Sequence, residues 1–369
     1  MAKIAFLHHT FIAGSGIDGV IYEMAKRLGK RGHLVNVITM HTDWSYYGVN
    51  VVEVRPKIRF SDRTNAVLGP LHTMPVRQAL DGADIVCTQL YPASVIPLFP
   101  TKLSMKHVAT EWGVQNIGGG FVNYAYTQLL RRAENFVVKH ADVVLAGCEY
   151  TGRQLRTVRP DVKTLYQYGV DFDFLNEKNA DLADLESKYQ MIKGAKVLLF
   201  VGRNSPHKHI EVLIGALNYI HDKSIKLVVV GRQDFANNKT HLDELVIRLG
   251  LSDRVLFTGV VPRYEIPNWY ARCTMFVNAS EWEGFLIPEA YALRKPIVAF
   301  AVDAHREILG GDRGILVHEL HPLGFSTAIN SLLENPRKAE TMGEAGYLWA
   351  KQVLDYDRIV ENWEKAVLS

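Results

Sequence analysis

The chain has 369 residues, 48% of them apolar and 22% charged, and a formal net charge of +3. That is ordinary globular composition, long enough for two medium domains, and it implies no nucleic-acid partner. No run approaches the ~18 apolar residues needed to span a bilayer, the strand-like opening Lys3-Ile4-Ala5-Phe6-Leu7 leaves no room for a cleavable leader, and Cys87, Cys148 and Cys273 lack CxxC spacing, so a cytoplasmic protein with reduced core thiols is expected.

Residues 3–8 read as a strand. Residues 18–31 follow a helical period, with Val20, Ile21, Met24, Ala25 and Leu28 on one face, and Gly32 stops them. Leu34–Met40 reads as the next strand, followed by Ile85–Thr88, His107–Thr110 and Val143–Ala146. The rhythm restarts at Lys196–Val201 and continues through Lys226–Val230, Val255–Thr258, Met275–Asn278 and Pro296–Phe300. Apolar runs alternating with helical patterns predict parallel, doubly wound sheets. The expected fold is therefore α/β, with two Rossmann-like domains. Residues 1–171 form the first and 196–345 the second. The polar stretch 172–195 is the expected linker, and 346–369 a C-terminal helix returning to the N-terminal domain. Ligands of such sheets sit at the strand C-terminal ends, here in a shared central cleft. Residues 1–175 carry 19 Lys/Arg against 14 Asp/Glu, and the remainder 23 against 25. A basic first half suits an anionic substrate or a membrane surface; a chance imbalance of surface charge explains it equally well.

Three motifs follow strands. Gly14-Ser15-Gly16-Ile17-Asp18-Gly19 is a GxGxxG opening a helix, where backbone N–H groups can meet a phosphate. With Asp43 it approximates a dinucleotide fingerprint, which would make the chain an NAD-dependent oxidoreductase. Five residues, His9 to Ala13, separate it from the strand, however, more than that fingerprint allows. A structural turn, or a loop that approaches a phosphate or acceptor, are the other readings. Next, Gly202-Arg203-Asn204-Ser205-Pro206-His207-Lys208 places a guanidinium fork and an ammonium five residues apart at a strand end. Such a pair can flank one diphosphate, or be two solvated cations. Last, Ser280-Glu281-Trp282-Glu283-Gly284-Phe285-Leu286-Ile287-Pro288-Glu289 runs from a strand end into a helix that starts near Pro288. Its carboxylates repel phosphate but suit sugar and ribose hydroxyls; stabilisation of the helix N-terminus is the plainer reading.

Other groupings carry less. Asp171-Phe172-Asp173 is a DxD, a metal-binding pattern elsewhere, but it falls in the expected linker. His207-Lys208-His209 sets two imidazoles around a cation, a poor metal site. His318-Glu319-Leu320-His321 lacks HExxH spacing. Trp269, Trp349 and Trp363 are expected to pack. No metal site is expected.

In order and spacing, these motifs resemble the retaining GT-B glycosyltransferases of family 4 (glycosyl transferases group 1), which include sucrose synthases and many cell-envelope mannosyl- and glucosyltransferases. The resemblance spans nearly the whole chain. Gly14 to His33 is similar to the family's glycine loop and following helix. Ala141-Asp142 and Tyr168-Gly169-Val170-Asp171 match the end of its first domain. Gly202-Arg203 with Lys208, Glu283-Gly284-Phe285 with Glu289-Ala290, and Pro296-Ile297-Val298-Ala299 match its donor domain. The resemblance implies that Arg203 and Lys208 neutralise the donor diphosphate, that Glu289 binds ribose and that Glu283 contacts the donor sugar within a loop completed by Gly284, Phe285, Leu286 and Ile287. It implies that Gly16 lets the first loop approach the diphosphate. A nucleoside-diphosphate sugar would be the donor and a hydroxyl group the acceptor, with retention of configuration, no cofactor and no metal. The first domain would receive the acceptor, in peripheral contact with the inner membrane face. The basic residues Lys26, Arg27, Lys30 and Arg31, and the stretch Trp112 to Tyr126 with Gly118–Gly120, Phe121, Arg131 and Arg132, are the surfaces for it.

Two departures stand out. The family places seven residues between its glutamates, whereas five separate Glu283 from Glu289. Glu281 restores the seven but loses the Gly-Phe context, so both Glu281 and Glu283 remain in view. Where many members carry a histidine, Thr110-Glu111-Trp112-Gly113 puts Trp112. Glu111 or Trp112 would then serve the acceptor, or the chain would bind a nucleotide sugar or glycan without turnover.

Overall fold

Apolar runs of five and six residues, buried on both faces, form the centres of two parallel sheets, as strands covered by helices on either side must. In a computed structural model, residues 1–12, 16–42, 48–54, 73–89, 92–112, 120–233, 236–281 and 287–369 are described. They divide into two units, Met1–Tyr168 with Tyr356–Ser369, and Gly169–Asp355.

The first unit is built, in chain order, from β1 (Lys3–His8), α1 (Gly16–Lys30), β2 (Leu34–Thr39), β3 (Asn50–Glu53), α2 (Thr73–Ala79), β4 (Ile85–Gln89), β5 (Lys106–Glu111), α3 (Gly120–His140), β6 (Val143–Ala146), α4 (Glu149–Arg156) and β7 (Lys163–Thr164). Its described strands are all parallel, in the order β3-β2-β1-β4-β5-β6-β7. The helical stripe of α1 is buried at Val20, Ile21, Met24, Ala25 and Leu28. β3 is short and half-buried and β7 has two residues, so neither leaves a hydrophobic run for sequence reading to find.

The second unit contains α5 (Leu182–Lys188), β8 (Val197–Val201), α6 (Ile210–Ala216), β9 (Lys226–Val230), α7 (Ala236–Arg248), β10 (Val255–Gly259), α8 (Ile266–Arg272), β11 (Met275–Asn278), α9 (Glu289–Ala292), β12 (Ile297–Phe300), α10 (Asp303–Leu309), β13 (Ile315–Val317), α11 (Pro322–Leu333) and α12 (Pro336–Val353). Its strands are again parallel, in the order β10-β9-β8-β11-β12-β13. The core is Val, Leu, Ile and Phe from the strands, closed by α6 and α11. Residues 172–195, polar in sequence, are packed structure here. Asp181 caps α5 by accepting the Asp184 N–H at 2.9 Å, and Leu185 and Ile192 are buried. Arg272 of α8 holds Glu186 at 2.6 Å and donates to the Ala195 carbonyl at 2.8 Å. These contacts join positions some 80 apart, which no local pattern reveals. Residues 346–353 continue α12 in this unit.

A last helix, α13 (Tyr356–Val367), belongs to the first unit. Its Trp363 is buried, with its ring 6.5 Å from that of Phe6. Asp357 pairs with Arg27 at 3.1 Å, and Glu364 with Arg31 at 2.7 Å and with His33 at 2.9 Å. In each sheet the strand order reverses once, between β1 and β4 and between β8 and β11. Open α/β sheets bind ligands beyond the strand ends at such points.

Candidate active site at the strand ends

In the second unit, β8 runs out at Val201 and the loop after it is pinned from both sides. The Gly202 N–H donates to the Val230 carbonyl at 2.9 Å and the Asn204 N–H to the Arg232 carbonyl at 2.8 Å. Gly231 has φ +142°, and a Cβ there would lie 2.1 Å from the Gly202 carbonyl oxygen, so two backbones pass where no side chain fits. Arg203 is left exposed while Asn204 and Ser205 are buried. A single 3-10 turn, Pro206–Lys208, then carries Lys208, which is only 8% exposed. One cation thus stands at each end of a rigid turn.

The β11 loop lies against this turn. The Glu281 N–H donates to the His207 carbonyl at 3.1 Å, and the buried Ser280 N–H donates to Asn278 Oδ1 at 2.8 Å. Glu281 is exposed. Glu283, Gly284, Phe285 and Leu286, with Trp282, lie outside the described residues. The chain re-enters at the fully buried Ile287, and Glu289 opens α9. The Tyr270 hydroxyl, fully buried on α8, donates to Glu289 Oε2 at 2.9 Å. Burial, and then the Glu289 charge, push the Tyr270 pKa well up, so the phenol stays a donor and fixes one carboxylate oxygen. Tyr270 was invisible to sequence reading, because a tyrosine in a helix carries no signal for a partner 19 positions on.

In the first unit, His8 ends β1 and Gln89 ends β4. The His8 Nδ1–H donates to the Gln89 carbonyl at 3.0 Å, and burial, followed by the neighbouring His9, holds its pKa well below the ordinary value. His8 Nε2 lies 3.5 Å from Asp18 Oδ1, and Asp18 Oδ2 accepts the Ile12 N–H at 2.8 Å. Asp18 therefore ties together the two sides of the glycine turn from which Gly16 begins α1; Gly14, Ser15 and the proposed ribose acid Asp43 lie outside the described residues. At the end of β5, Glu111 is buried and its pKa is raised well above the carboxylate range by burial and by Glu134. Trp112 is half-buried. Its indole N–H donates to Gln89 Oε1 at 2.7 Å, the Gln89 amide donates to Gln167 Oε1 at 3.2 Å, and Gln167 donates to Thr110 Oγ1 at 2.7 Å. A Cβ on Gly147 would come within 2.2 Å of the indole. Trp112 is therefore fixed, and Glu111 faces inward. Gly113 through Gly119 lie outside the described residues, as do the side chains of Gly120 and Phe121.

The weaker groupings have structural work. Asp171 accepts the Phe174 N–H at 3.1 Å, and His321 caps α11 by accepting the Leu323 N–H at 3.2 Å. His207 lies 3.3 Å from Ser205 Oγ, and His209 faces Glu211 and Glu281. Trp269 and Trp363 are buried, and Trp349 packs against Tyr291 and Arg313.

Two family models match the chain: Glycosyltransferase Family 4 over residues 14–174 and Glycosyl transferases group 1 over residues 183–349. Among curated relatives, spore coat protein SA of Bacillus subtilis is 26% identical over 260 residues, 65% of this chain and 68% of that protein. The D-inositol 3-phosphate glycosyltransferase of Thermomonospora curvata is 28% identical over 246 residues, 62% of this chain and 57% of its own length. Among solved structures, sucrose-phosphate synthase from Thermosynechococcus elongatus superposes with a TM-score of 0.86 at 18% identity, over 99% of this chain and 98% of that one. Anabaena HepE in complex with UDP and glucose superposes at 0.82 and 20% identity over the full length of both.

Proposed function

The chain belongs to the family-4 glycosyltransferases of GT-B fold, and on that premise we propose that it moves a glycosyl unit from a nucleoside-diphosphate sugar to a hydroxyl acceptor, with retention and without a metal. The observation that carries this reading is the pinned turn between β8 and α6, with Arg203 and Lys208 at its ends and the acidic β11 loop bonded to it. The bond from the sugar anomeric carbon to the diphosphate oxygen breaks, and one to the acceptor oxygen forms. Negative charge grows on the leaving diphosphate, where a guanidinium fork and a buried ammonium, carried on a pinned backbone, stabilise it. The acceptor proton passes to the leaving phosphate oxygen, which lies on the face where the acceptor enters when configuration is retained. Glu289, oriented by Tyr270, takes ribose hydroxyls; Glu283 or Glu281 takes those of the sugar. Two cations supply the charge that a metal would otherwise bring.

The solved HepE complexes contain UDP and UDP-glucose, which supports a nucleotide-sugar donor. On the acceptor side, the fixed Trp112 offers a planar apolar face. Membrane contact is better placed on α3 than on α1. Arg27 of α1 and Arg31 just after it are engaged by Asp357 and Glu364, whereas α3 exposes Tyr124, Leu129 and Phe136 beside Arg131, Arg132 and Lys139. Among the described residues no helix is long and apolar enough to cross a membrane.

The test is a thermal-shift screen of the chain against UDP, GDP, ADP and dTDP sugars with EDTA present. A ligand at 100 times its Kd adds roughly 2.7 kcal/mol. With the donor found, Arg203→Ala or Lys208→Ala is expected to lower kcat/KM on the order of 100-fold. Near-normal turnover in both variants would refute the site; loss of turnover in EDTA, restored by Mg²⁺, would refute metal independence. Binding without transfer to any hydroxyl would favour a sugar-binding protein that Trp112 has made inactive.

A further inference from the structure

His209 sits between Lys208 and α6 in the left-handed region, with φ +48° and ψ +44°. Side chains other than glycine avoid that region, and a residue found there is held by its surroundings. Here they include two carboxylates from separate segments. His209 Nδ1 lies 2.9 Å from Glu211 Oε1, in the first turn of α6, and Nε2 lies 3.4 Å from Glu281 Oε1, just past β11. The backbone joins the same segments through the Glu281 N–H and the His207 carbonyl, 3.1 Å apart. Neither imidazole nitrogen has a part in the transfer steps above.

The geometry points to His209 as a positioning residue of the donor site. Its imidazole, hydrogen-bonded to Glu211 through Nδ1, sets Nε2 3.4 Å from the Glu281 carboxylate, a through-space contact that places the residue after which the chain runs on to Glu289. The left-handed backbone sets the ring between the two carboxylates at the point where Lys208 gives way to α6. Asparagine or glycine suits that backbone better, so a histidine there gives up local fit for the bridge. Stability and positioning therefore oppose each other at this residue, which makes the role separable from folding. The inference rests on the reading that Arg203 and Lys208 hold the donor diphosphate.

The test uses the full chain and whichever of UDP, GDP, ADP and dTDP binds the wild type most tightly, followed by calorimetric titration. His209→Asn accepts the left-handed backbone and is too short to reach both carboxylates. It is expected to melt at or above the wild-type temperature while nucleotide affinity falls about five- to tenfold. Glu281→Gln is expected to weaken binding too, and the two changes together to cost no more than the larger alone, as for partners in one contact. Affinity of His209→Asn within about twofold of wild type, or effects that multiply in the double variant, overturn the inference. Should His209→Asn not fold, His209→Gly and Glu211→Gln give the same readout from the backbone and from the anchor. Arg203→Ala separates the two levels. If it binds as wild type, or if none of the four nucleotides binds the wild type, the donor-site reading fails and takes this inference with it. If Arg203→Ala loses binding and His209→Asn does not, only the bridge is wrong.

Discussion

Glu111 and Glu134 are two carboxyls turned into the first unit, and their burial has a consequence for stability. Burial pushes Glu134 up to about 7, against the opposing pull of Arg131, from an ordinary value near 4.5. A carboxyl whose pKa is higher in the fold than in the unfolded chain favours folding when protonated. Its contribution is complete below about 4.5 and is lost as pH rises through about 7. Glu134→Gln, neutral at every pH, is expected to match the wild type near pH 4. Near pH 8 it is expected to exceed it by about 2–3 kcal/mol, since each tenfold difference in proton affinity between fold and unfolded chain is worth about 1.4 kcal/mol. Urea midpoints at the two pH values decide this, and an equal difference at both would rule out the buried acid as its cause. The same environment explains why Glu111, a reasonable acceptor-binding residue in sequence, faces the interior while Trp112 is only half-buried.

Loops and the elements they join carry the proposed donor site, and glycine decides how closely they pass. The atoms that a Cβ on Gly231 would strike are the backbone oxygen and carbon of Gly202, which cannot swing aside as a side chain can. Gly231→Ala must also adopt φ +142°, where alanine is strained. It is expected to destabilise the second unit by about 2 kcal/mol or more and to lower kcat/KM more than its melting temperature accounts for, because the displaced segment carries Arg203. Melting curves alongside initial rates at a temperature where both proteins are folded check this. An activity loss that vanishes on cooling would mean the glycine serves folding alone.

For the molecule as a whole, the proposed membrane face is a question of which charged surface is open. Of the four cations on and just after α1, Arg27 and Arg31 are committed to α13, and Lys26 lies 5.5 Å from the centre of the Tyr22 ring. α3 presents aromatic and basic residues together, the combination that lies flat on anionic lipid. Co-sedimentation with phosphatidylserine-containing liposomes is expected at low salt and should weaken at physiological ionic strength, where exposed charges are screened within about 8 Å. Replacing Arg131, Arg132 and Lys139 with Gln is expected to abolish it and to leave nucleotide affinity intact. Replacing Lys26 and Lys30 should change it little. Binding that follows the α1 pair instead, or none at low salt, would remove α3 as the membrane face.

The sequence by itself determined the two parallel sheets. Their central strands are apolar runs bounded by turns, and hydrophobic period is a local property of the chain. It also marked Arg203, Lys208, Glu281, Glu283 and Glu289 as candidates, because their motifs follow strands and the strand ends are where a Rossmann-like sheet binds. Tertiary structure alone decided which groups orient them. Tyr270 reaches Glu289 from another helix, Gly231 admits the Gly202 carbonyl from a neighbouring strand, and His209 joins Glu211 to Glu281 across about 70 positions. The packed nature of 172–195 and the commitment of Arg27 and Arg31 to α13 were hidden for the same reason. A polar or charged side chain carries no periodic trace of its partner, and only folding brings the two within hydrogen-bonding distance.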